Sequence, residues 1–192
     1  LFKNGKRNGK GKLIKHNGDI FKGDWSSGTI EGQGEYKYSN GNLYLGEWRN
    51  NLFHGKGKLI LKNGDMYEGD WVKGEKQGVG VLISFNGDKY DGEWKSGARH
   101  GKGVFTLAIG DEYDGEWSNK KREGNGLQKY SDGSTYNGNW KNDKYHGKGI
   151  YSYLNGDKYE GDWVTGEKNG SGKYTFFNGD KYEGDWAQDK KN

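Results

Sequence analysis

Cysteine and proline are absent from the 192 residues, methionine occurs once, and only 4 of the 31 basic residues are arginine. Without cysteine there is no disulfide framework and no thiolate metal site, which leaves the redox compartment open and fits the cytosol. No run approaches the roughly 18 apolar residues of a membrane-spanning helix, and no signal-peptide core opens the chain, so a soluble protein is expected. Leu, Ile, Val and Phe number only 30, a share that signals disorder when net charge is high. Net charge is only +4, from 31 basic and 27 acidic residues. That near balance also argues against nucleic-acid binding, which shows as clustered Lys and Arg in excess. What is abundant is ring and bare backbone: 8 Trp, 14 Tyr, 7 Phe and 37 Gly. Rings offer another way to bury apolar surface, so a folded chain is expected. It opens on Leu1 rather than Met, as a piece of a longer protein would.

The rings recur with one period. Trp25, Trp48, Trp71, Trp94, Trp117, Trp140, Trp163 and Trp186 are each 23 residues apart. Four residues before each stands Phe21, Tyr44, Tyr67, Tyr90, Tyr113, Tyr136, Tyr159 or Tyr182, and two before each stands a glycine. A Gly-x-Gly pair follows seven and nine residues after the Trp, as at Gly55/Gly57, and then an Asn-Gly turn, as at Asn63-Gly64. Seven full units are expected at 21–43, 44–66, 67–89, 90–112, 113–135, 136–158 and 159–181, with partial units at 1–20 and 182–192. Together they read as a single repeat array over 1–192.

Within a unit, 65–71 and 78–85 alternate with period two between turn signals, which predicts a β-hairpin. Glycine every few residues, at about 1 kcal/mol each in a helix, excludes helical repeats. Side-chain parity suggests that Trp71 faces Gly80, Gly69 faces Leu82 and Tyr67 faces Ser84, so that rings cover glycine backbone. Keeping one face inward requires a three-residue return loop, Phe85-Asn86-Gly87, with Gly87 left-handed in a G1 bulge. On the other face the residue before each Trp is acidic in seven of eight units, Asn139 being the exception, and Lys56, Lys58, Lys102 and Lys148 stand on neighbouring strands. The expected result is a grid of cross-strand ion pairs worth a few tenths of a kcal/mol each. The fold class is therefore all-β: a meander of hairpins forming an elongated rod roughly 75 to 80 Å long, with open edge strands.

The unit 157–179, Asp-Lys-Tyr-Glu-Gly-Asp-Trp followed by Gly-Ser-Gly and Asn-Gly, resembles a MORN repeat (membrane occupation and recognition nexus), and the resemblance covers the whole chain. It implies an elongated antiparallel meander serving as an assembly module, as in radial-spoke heads, junctional proteins, protist cytoskeletal scaffolds, myosin-tail adaptors and appendages of lipid kinases or a methyltransferase. Ile109-Gly110 and Asp132-Gly133 depart from the Asn-Gly turn, and Asn51, Lys120, Asp143 and Asp189 replace the glycine three after the Trp. Local distortion is expected in those units.

The residues offer little chemistry. His54, His100 and His146 recur every second unit, about 19 Å apart by strand spacing, too far to share a metal. An acidic residue in nearly every unit is a structural column, whereas a catalytic pair needs one desolvated site. The Gly-x-Gly pairs lack the rest of a phosphate loop. Asn169-Gly170-Ser171 matches a glycosylation acceptor by coincidence of composition. No nucleophile has a fixed His neighbour. No catalytic residue, cofactor or metal is expected.

The expected function is thus a non-catalytic scaffold and protein-interaction module, cytoplasmic and cytoskeleton-associated, within a ciliary axoneme such as a radial spoke or another cytoskeletal assembly. Candidate partner-groove residues are Tyr36, Tyr38, Leu59, Leu61, Leu82, Phe105, Leu107, Tyr130, Tyr151, Tyr153, Tyr174 and Phe176, whose alternative role is to pack onto neighbouring rings. Edge pairing would add end-to-end dimers. The basic groups Lys3, Lys6, Arg7, Lys10, Lys12 and Lys15, and Lys120 to Arg122, allow a second class, a membrane tether weakly binding acidic lipid. A third is the appendage of an enzyme, a lipid kinase or methyltransferase, whose catalytic part lies outside this chain.

Overall fold

The computed structural model describes residues 2–192. Its contacts divide the chain into two compact units, Leu1–Ala98 and Arg99–Asn192. Among the described residues every regular element is a β-strand.

The first unit begins with a short hairpin, β1 (Phe2–Lys3) and β2 (Lys6–Arg7). It continues with β3 (Gly9–Ile14), β4 (Ile20–Ser26), β5 (Thr29–Lys37), β6 (Leu43–Arg49), β7 (Leu52–Ile60), β8 (Met66–Val72), β9 (Glu75–Ile83) and β10 (Lys89–Lys95). From β3 to β10 each strand pairs antiparallel with its neighbours in the chain. In the second unit β11 (Ala98–Thr106), which starts at the boundary, leads to β12 (Glu112–Ser118), β13 (Lys121–Lys129), β14 (Thr135–Lys141), β15 (Lys144–Ser152), β16 (Lys158–Val164), β17 (Glu167–Thr175), β18 (Lys181–Ala187) and β19 (Lys190–Lys191). These too pair in chain order. Each unit is an open antiparallel meander, not a closed barrel, as the repeated hairpin pattern predicts.

The register differs from the one expected. Tyr67 faces Leu82, Gly69 faces Gly80 and Trp71 faces Lys76. The cause is a two-residue turn, Lys73-Gly74, with both φ angles positive (51° and 86°), the type I′ geometry that matches strand twist. This turn starts β9 early, and a bulge around Gly78 then places two extra residues on β9. Gly78 takes φ +64° to make that bulge, a region favourable to glycine. Trp71 does face a glycine, but Gly55 of the preceding strand. Gly57, Gly69, Gly80 and Gly92 are consecutive register partners, so a row without side chains crosses the sheet.

The return turn forms as parity requires. Ser84 and Asp88 close the loop with Ser84 N–H donating to Asp88 O at 2.8 Å, Gly87 N–H donates to Ser84 O at 2.9 Å, and Gly87 has φ +93°. The units expected to be distorted are not. Asn51, Lys120, Asp143 and Asp189 occupy the glycine position with φ between 62° and 72°. Gly110, after Ile109, has φ +98°, and its loop keeps the same two backbone hydrogen bonds. Asn and Asp tolerate the left-handed region, and here they do more. Asn51, Asp143 and Asp189 accept the backbone N–H of Ile30, Arg122 and Lys168, tying each turn to the preceding unit.

Candidate partner-binding face

The core is one layer of rings. Tyr67 lies along its own strand over the Gly69–Gly80 pair; a Cβ on Gly80 would collide with its phenol oxygen. Its hydroxyl donates to Asp70 O at 3.1 Å. The ring meets Trp71 edge-on at 5.1 Å and Trp94 at 5.2 Å. Trp71 Nε1 in turn donates to Gly57 O at 3.0 Å. The second unit repeats this with Tyr136, Trp140 and Trp163 at 5.3 and 5.4 Å. T-shaped pairs of this kind add about 0.5–1.5 kcal/mol each beyond area burial. Burial raises the pKa of the Tyr67 and Tyr136 phenols well above the ordinary tyrosine value and takes that of Tyr159 up to about 12.

The opposite face carries the expected charge grid. Lys56 Nζ contacts Asp70 at 2.6 Å and Lys148 Nζ contacts Asp162 at 2.8 Å, in each case between register partners. The acidic column has a second task that spacing alone does not reveal. Asp70 Oδ2 accepts Val79 N–H at 3.0 Å and Asp162 Oδ2 accepts Ser171 N–H, capping the backbone at the glycine bulge. Partial burial pushes the Asp70 carboxyl upward, but Lys56 and the Val79 N–H outweigh it and hold it below the usual value.

The candidate groove residues all lie on the ring layer, in the columns 11 and 13 residues after each Trp. In the first unit Tyr36 is buried, donates its hydroxyl to Asp19 at 2.8 Å, and packs on Tyr38 at 4.4 Å and Trp48 at 5.8 Å. Tyr38, Leu59, Leu61 and Leu82 are half-buried, and Leu59 and Leu82 are both register partners of Tyr67. In the second unit Phe105, Leu107, Tyr130, Tyr151, Tyr153, Tyr174 and Phe176 are half-buried. Tyr151 and Tyr174 lean on Trp163 and Trp186 at 6.3 and 6.0 Å. The Tyr174 hydroxyl donates to Asp157 at 2.7 Å, and Tyr130 and Tyr145 are joined through their hydroxyls. Within each unit the candidates therefore share one ring-lined surface while also packing onto the tryptophans.

A column five residues after each Trp escaped the sequence reading as a column. Arg99 lies over Trp117 at 4.4 Å, Arg122 over Trp140 at 4.2 Å, Lys76 over Trp94 at 4.8 Å and Lys168 over Trp186 at 5.3 Å. Phe53 and Tyr145 hold the same position with rings stacked on Tyr44 and Tyr136. Desolvation lowers the Lys76 and Lys168 ionisation. The 23-residue period marks this column as well, but its chemistry varies. The basic group Lys120 to Arg122 does not stand as one patch: Arg122 turns onto Trp140, while Lys121 Nζ reaches Asn142 Oδ1 at 3.2 Å.

In the second unit a cavity of about 430 Å³ opens on the ring layer, lined among others by Arg99, Phe105, Trp117, Arg122 and Tyr130. Gln128 is buried where other units place Leu, Phe or Tyr, and accepts a hydrogen bond from Arg122 at 2.8 Å. Among the described residues no three His, Asp or Glu side chains form a group able to hold a metal, and no buried side-chain nitrogen or oxygen lacks a hydrogen-bond partner.

The comparisons follow this geometry. The TCP domain of Drosophila melanogaster SAS-4 (dCPAP), solved in complex with a proline-rich motif of Ana2 (dSTIL), is similar in fold, with TM-score 0.50 and 12% identity over 91% of this chain and 88% of that one. The TCP10c domain of Drosophila melanogaster Sas-4 matches with TM-score 0.45 and 11% identity, over 91% and 97%. At such identity the likeness is one of fold. A comparison with curated proteins finds no match. The family model for the MORN repeat matches residues 1–20, 21–43, 44–66, 67–89, 90–112, 113–135, 136–158, 159–181 and 182–192. The chain belongs to the MORN-repeat family.

Proposed function

We propose that this chain is a non-catalytic scaffold whose ring-lined face holds segments of partner proteins, within a cytoskeletal assembly such as a ciliary axoneme. The observation that carries this reading is the layer itself. Half-buried Tyr, Phe and Leu side chains share one face of each unit, backed by tryptophans that hydrogen bonds hold in place. Tyr and Trp bring large contact area at low entropic cost, which is why they dominate the binding energy of protein interfaces. The opposite face, with Lys and Asp already paired to each other, offers a partner little that water does not. Membership in the MORN-repeat family implies an assembly module, and the SAS-4 TCP domain, similar in fold, is found with a peptide motif of another protein. Both support a partner-binding role.

The test is site-specific photo-crosslinking in the native full-length protein. A photoreactive phenylalanine analogue at Leu82 or Tyr151 should capture partner protein, and one at Lys58 or Lys148 on the opposite face should not. Capture confined to Lys58 and Lys148 would reject the reading.

A further inference from the structure

The rings form a ladder in which tyrosine and tryptophan alternate. In the second unit Tyr136 meets Trp140 at 5.3 Å and Trp163 at 5.4 Å, Tyr159 meets Trp163 at 5.2 Å and Trp186 at 5.1 Å, and Tyr174 leans on Trp186 at 6.0 Å. In the first unit Tyr67 meets Trp94 and Trp71 at 5.2 and 5.1 Å, Tyr44 meets Trp71 and Trp48 at 5.7 and 5.2 Å, and Tyr36 leans on Trp48 at 5.8 Å. Among side chains without sulfur, tyrosine and tryptophan lose one electron most readily, and electrons exchange fast between rings in van der Waals contact. A hole placed on one of these tryptophans therefore travels along the ladder of its own unit.

Where it stops is decided by protons. An oxidised phenol is a strong acid and persists only as the neutral radical, so its proton needs an acceptor. The hydroxyls of Tyr44, Tyr67, Tyr136 and Tyr159 donate to the backbone carbonyls of Glu47, Asp70, Asn139 and Asp162, which accept a hydrogen bond but are not bases. Tyr36 and Tyr174 differ. Each donates to a buried carboxylate, Asp19 Oδ2 at 2.8 Å and Asp157 Oδ2 at 2.7 Å, whose Oδ1 is held by the backbone N–H of Ser39 or Phe177. The hydrogen bond from Tyr174 is the largest of the influences that hold the Asp157 carboxyl below its usual value, so it is ionised near neutral pH and can take a proton. Tyr151 occupies the same column of the repeat as Tyr36 and Tyr174, but the residue at the matching place is Ser134, at 3.3 Å. Lys168 and Lys191 stand over the Trp186 ring at 5.3 and 6.0 Å, which disfavours a positive radical there and leaves an uncharged one on Tyr174 unpenalised.

We propose that Tyr36 and Tyr174 are redox-active tyrosines, the end points at which one-electron oxidation of the ladder tryptophans comes to rest. A small oxidising radical from solution takes an electron from tryptophan and is itself reduced. At the end of the ladder an electron passes from the Tyr174 phenol to the Trp186 radical cation, restoring tryptophan, while the phenol proton moves to Asp157 Oδ2. Tyr36, Trp48 and Asp19 do the same in the first unit. The products are a neutral tyrosyl radical and a carboxylic acid. A one-electron reductant such as a thiolate then returns the electron, and the proton comes back from the aspartic acid. Oxidation is thereby led away from the tryptophans that hold each sheet together, and Tyr36 and Tyr174 become the sites that carry oxidative modification. The inference does not depend on what the ring-lined face binds.

The test is pulse radiolysis of the full-length protein with azide radicals, which oxidise tryptophan ahead of tyrosine near neutral pH. Tryptophyl absorption should give way to tyrosyl absorption at a rate that is independent of protein concentration and slower in heavy water. Tyr36→Phe combined with Tyr174→Phe should remove most of the tyrosyl yield. Asp19→Asn combined with Asp157→Asn keeps both phenols but takes away their proton acceptors, and should slow the conversion at least about tenfold. Tyr151→Phe should change neither yield nor rate. In the opposite direction, Asp132→Asn with Ser134→Asp rebuilds the Asn-Gly-Asp loop of other units and should make Tyr151 a third end point, restoring conversion to the protein that lacks Tyr36 and Tyr174. Tryptophan radicals that persist in the unaltered protein, a rate that rises with protein concentration, conversion undiminished in either double variant, or a rebuilt loop that restores none of it overturns the inference. The concentration and heavy-water measurements need no variant and so stand whether or not one folds.

Discussion

At the scale of single residues, the two glycines that follow each Trp have different tasks despite their identical letters. Gly78 supplies a left-handed φ, whereas Gly80 supplies room for the Tyr67 ring. A Cβ at Gly80 would lie 2.6 Å from Tyr67 Cζ, and the ring, 2% exposed and anchored to Asp70 O, has nowhere to go. Gly80→Ala should cost about 2–3 kcal/mol in urea unfolding. Gly11→Ala, whose nearest contact would be Trp25 at 3.3 Å, should cost under about 1 kcal/mol. Equal losses would mean that the ring is not the obstacle. Asp19 shows a different economy. Its carboxylate accepts the Ser39 N–H at 2.9 Å, Asn17 Nδ2 at 3.0 Å and the Tyr36 hydroxyl at 2.8 Å, and these lower its pKa from 3.8 to about 2. A depressed carboxyl contributes stability that is fully present above the unfolded value and is lost as pH falls through the folded one. Acid unfolding should therefore draw on Asp19 between about pH 4 and pH 2, and Asp19→Asn should flatten the curve in that window. Curves of the same slope for both proteins would remove Asp19 from the account.

At the scale of the hairpin, the turns are where sequence and structure diverge. The three-residue return loop was legible from parity, because only that length keeps Tyr and Trp on one face. The register of β8 and β9 was not, because both glycines of Gly78-Val79-Gly80 look like partners for a ring, and nothing in the letters says that one of them is spent on a bulge. The substituted turns misled in the other direction. Asn51, Asp143 and Asp189 look like lost glycines but add a hydrogen bond to the unit before. Lys120 has the same φ, +72°, without such a bond from its side chain among those described, so Lys120→Gly should stabilise the protein by about 1 kcal/mol, read as a higher urea midpoint at unchanged m-value. In the return loops Asn63 Nδ2 donates to Asp65 Oδ2 at 2.9 Å, whereas the loop that contains Asp132 has Ser134 at the place matching Asp65, its hydroxyl donating to Asp132 at 2.7 Å. Carboxylates at both places would repel. Asn63→Asp should lower the melting temperature near neutral pH. The deficit should shrink as pH falls and one carboxyl takes a proton, restoring a donor; a deficit independent of pH would point to another cause.

At the scale of the whole molecule, the period of 23 and its ring columns were visible in the sequence because they use the same letters every time. The cationic column was hidden because Arg, Lys, Ile, Phe and Tyr share a position there and not a chemistry. Within each unit every strand touches mainly the strands beside it, so damage should stay local. A Cβ at Gly126 would lie 2.5 Å from Tyr113 Cε2, and in hydrogen exchange Gly126→Ala should expose the amides of β12 to β14 while leaving β17 and β18 close to wild type. Uniform loss of protection through residues 99–192 would instead show one cooperative block. Hairpins are also tied turn to turn. Gly74 N–H donates to Phe53 O at one edge, and Asp65 accepts Phe85 N–H at the other, across fixed separations of 21 and 20 residues. A single added or deleted residue in any loop would throw both fastenings out of phase, whereas removing a complete hairpin leaves no seam. Length in such a chain is quantised, and its coding sequence can grow or shrink without loss only by whole multiples of 69 nucleotides, three for each of the 23 residues.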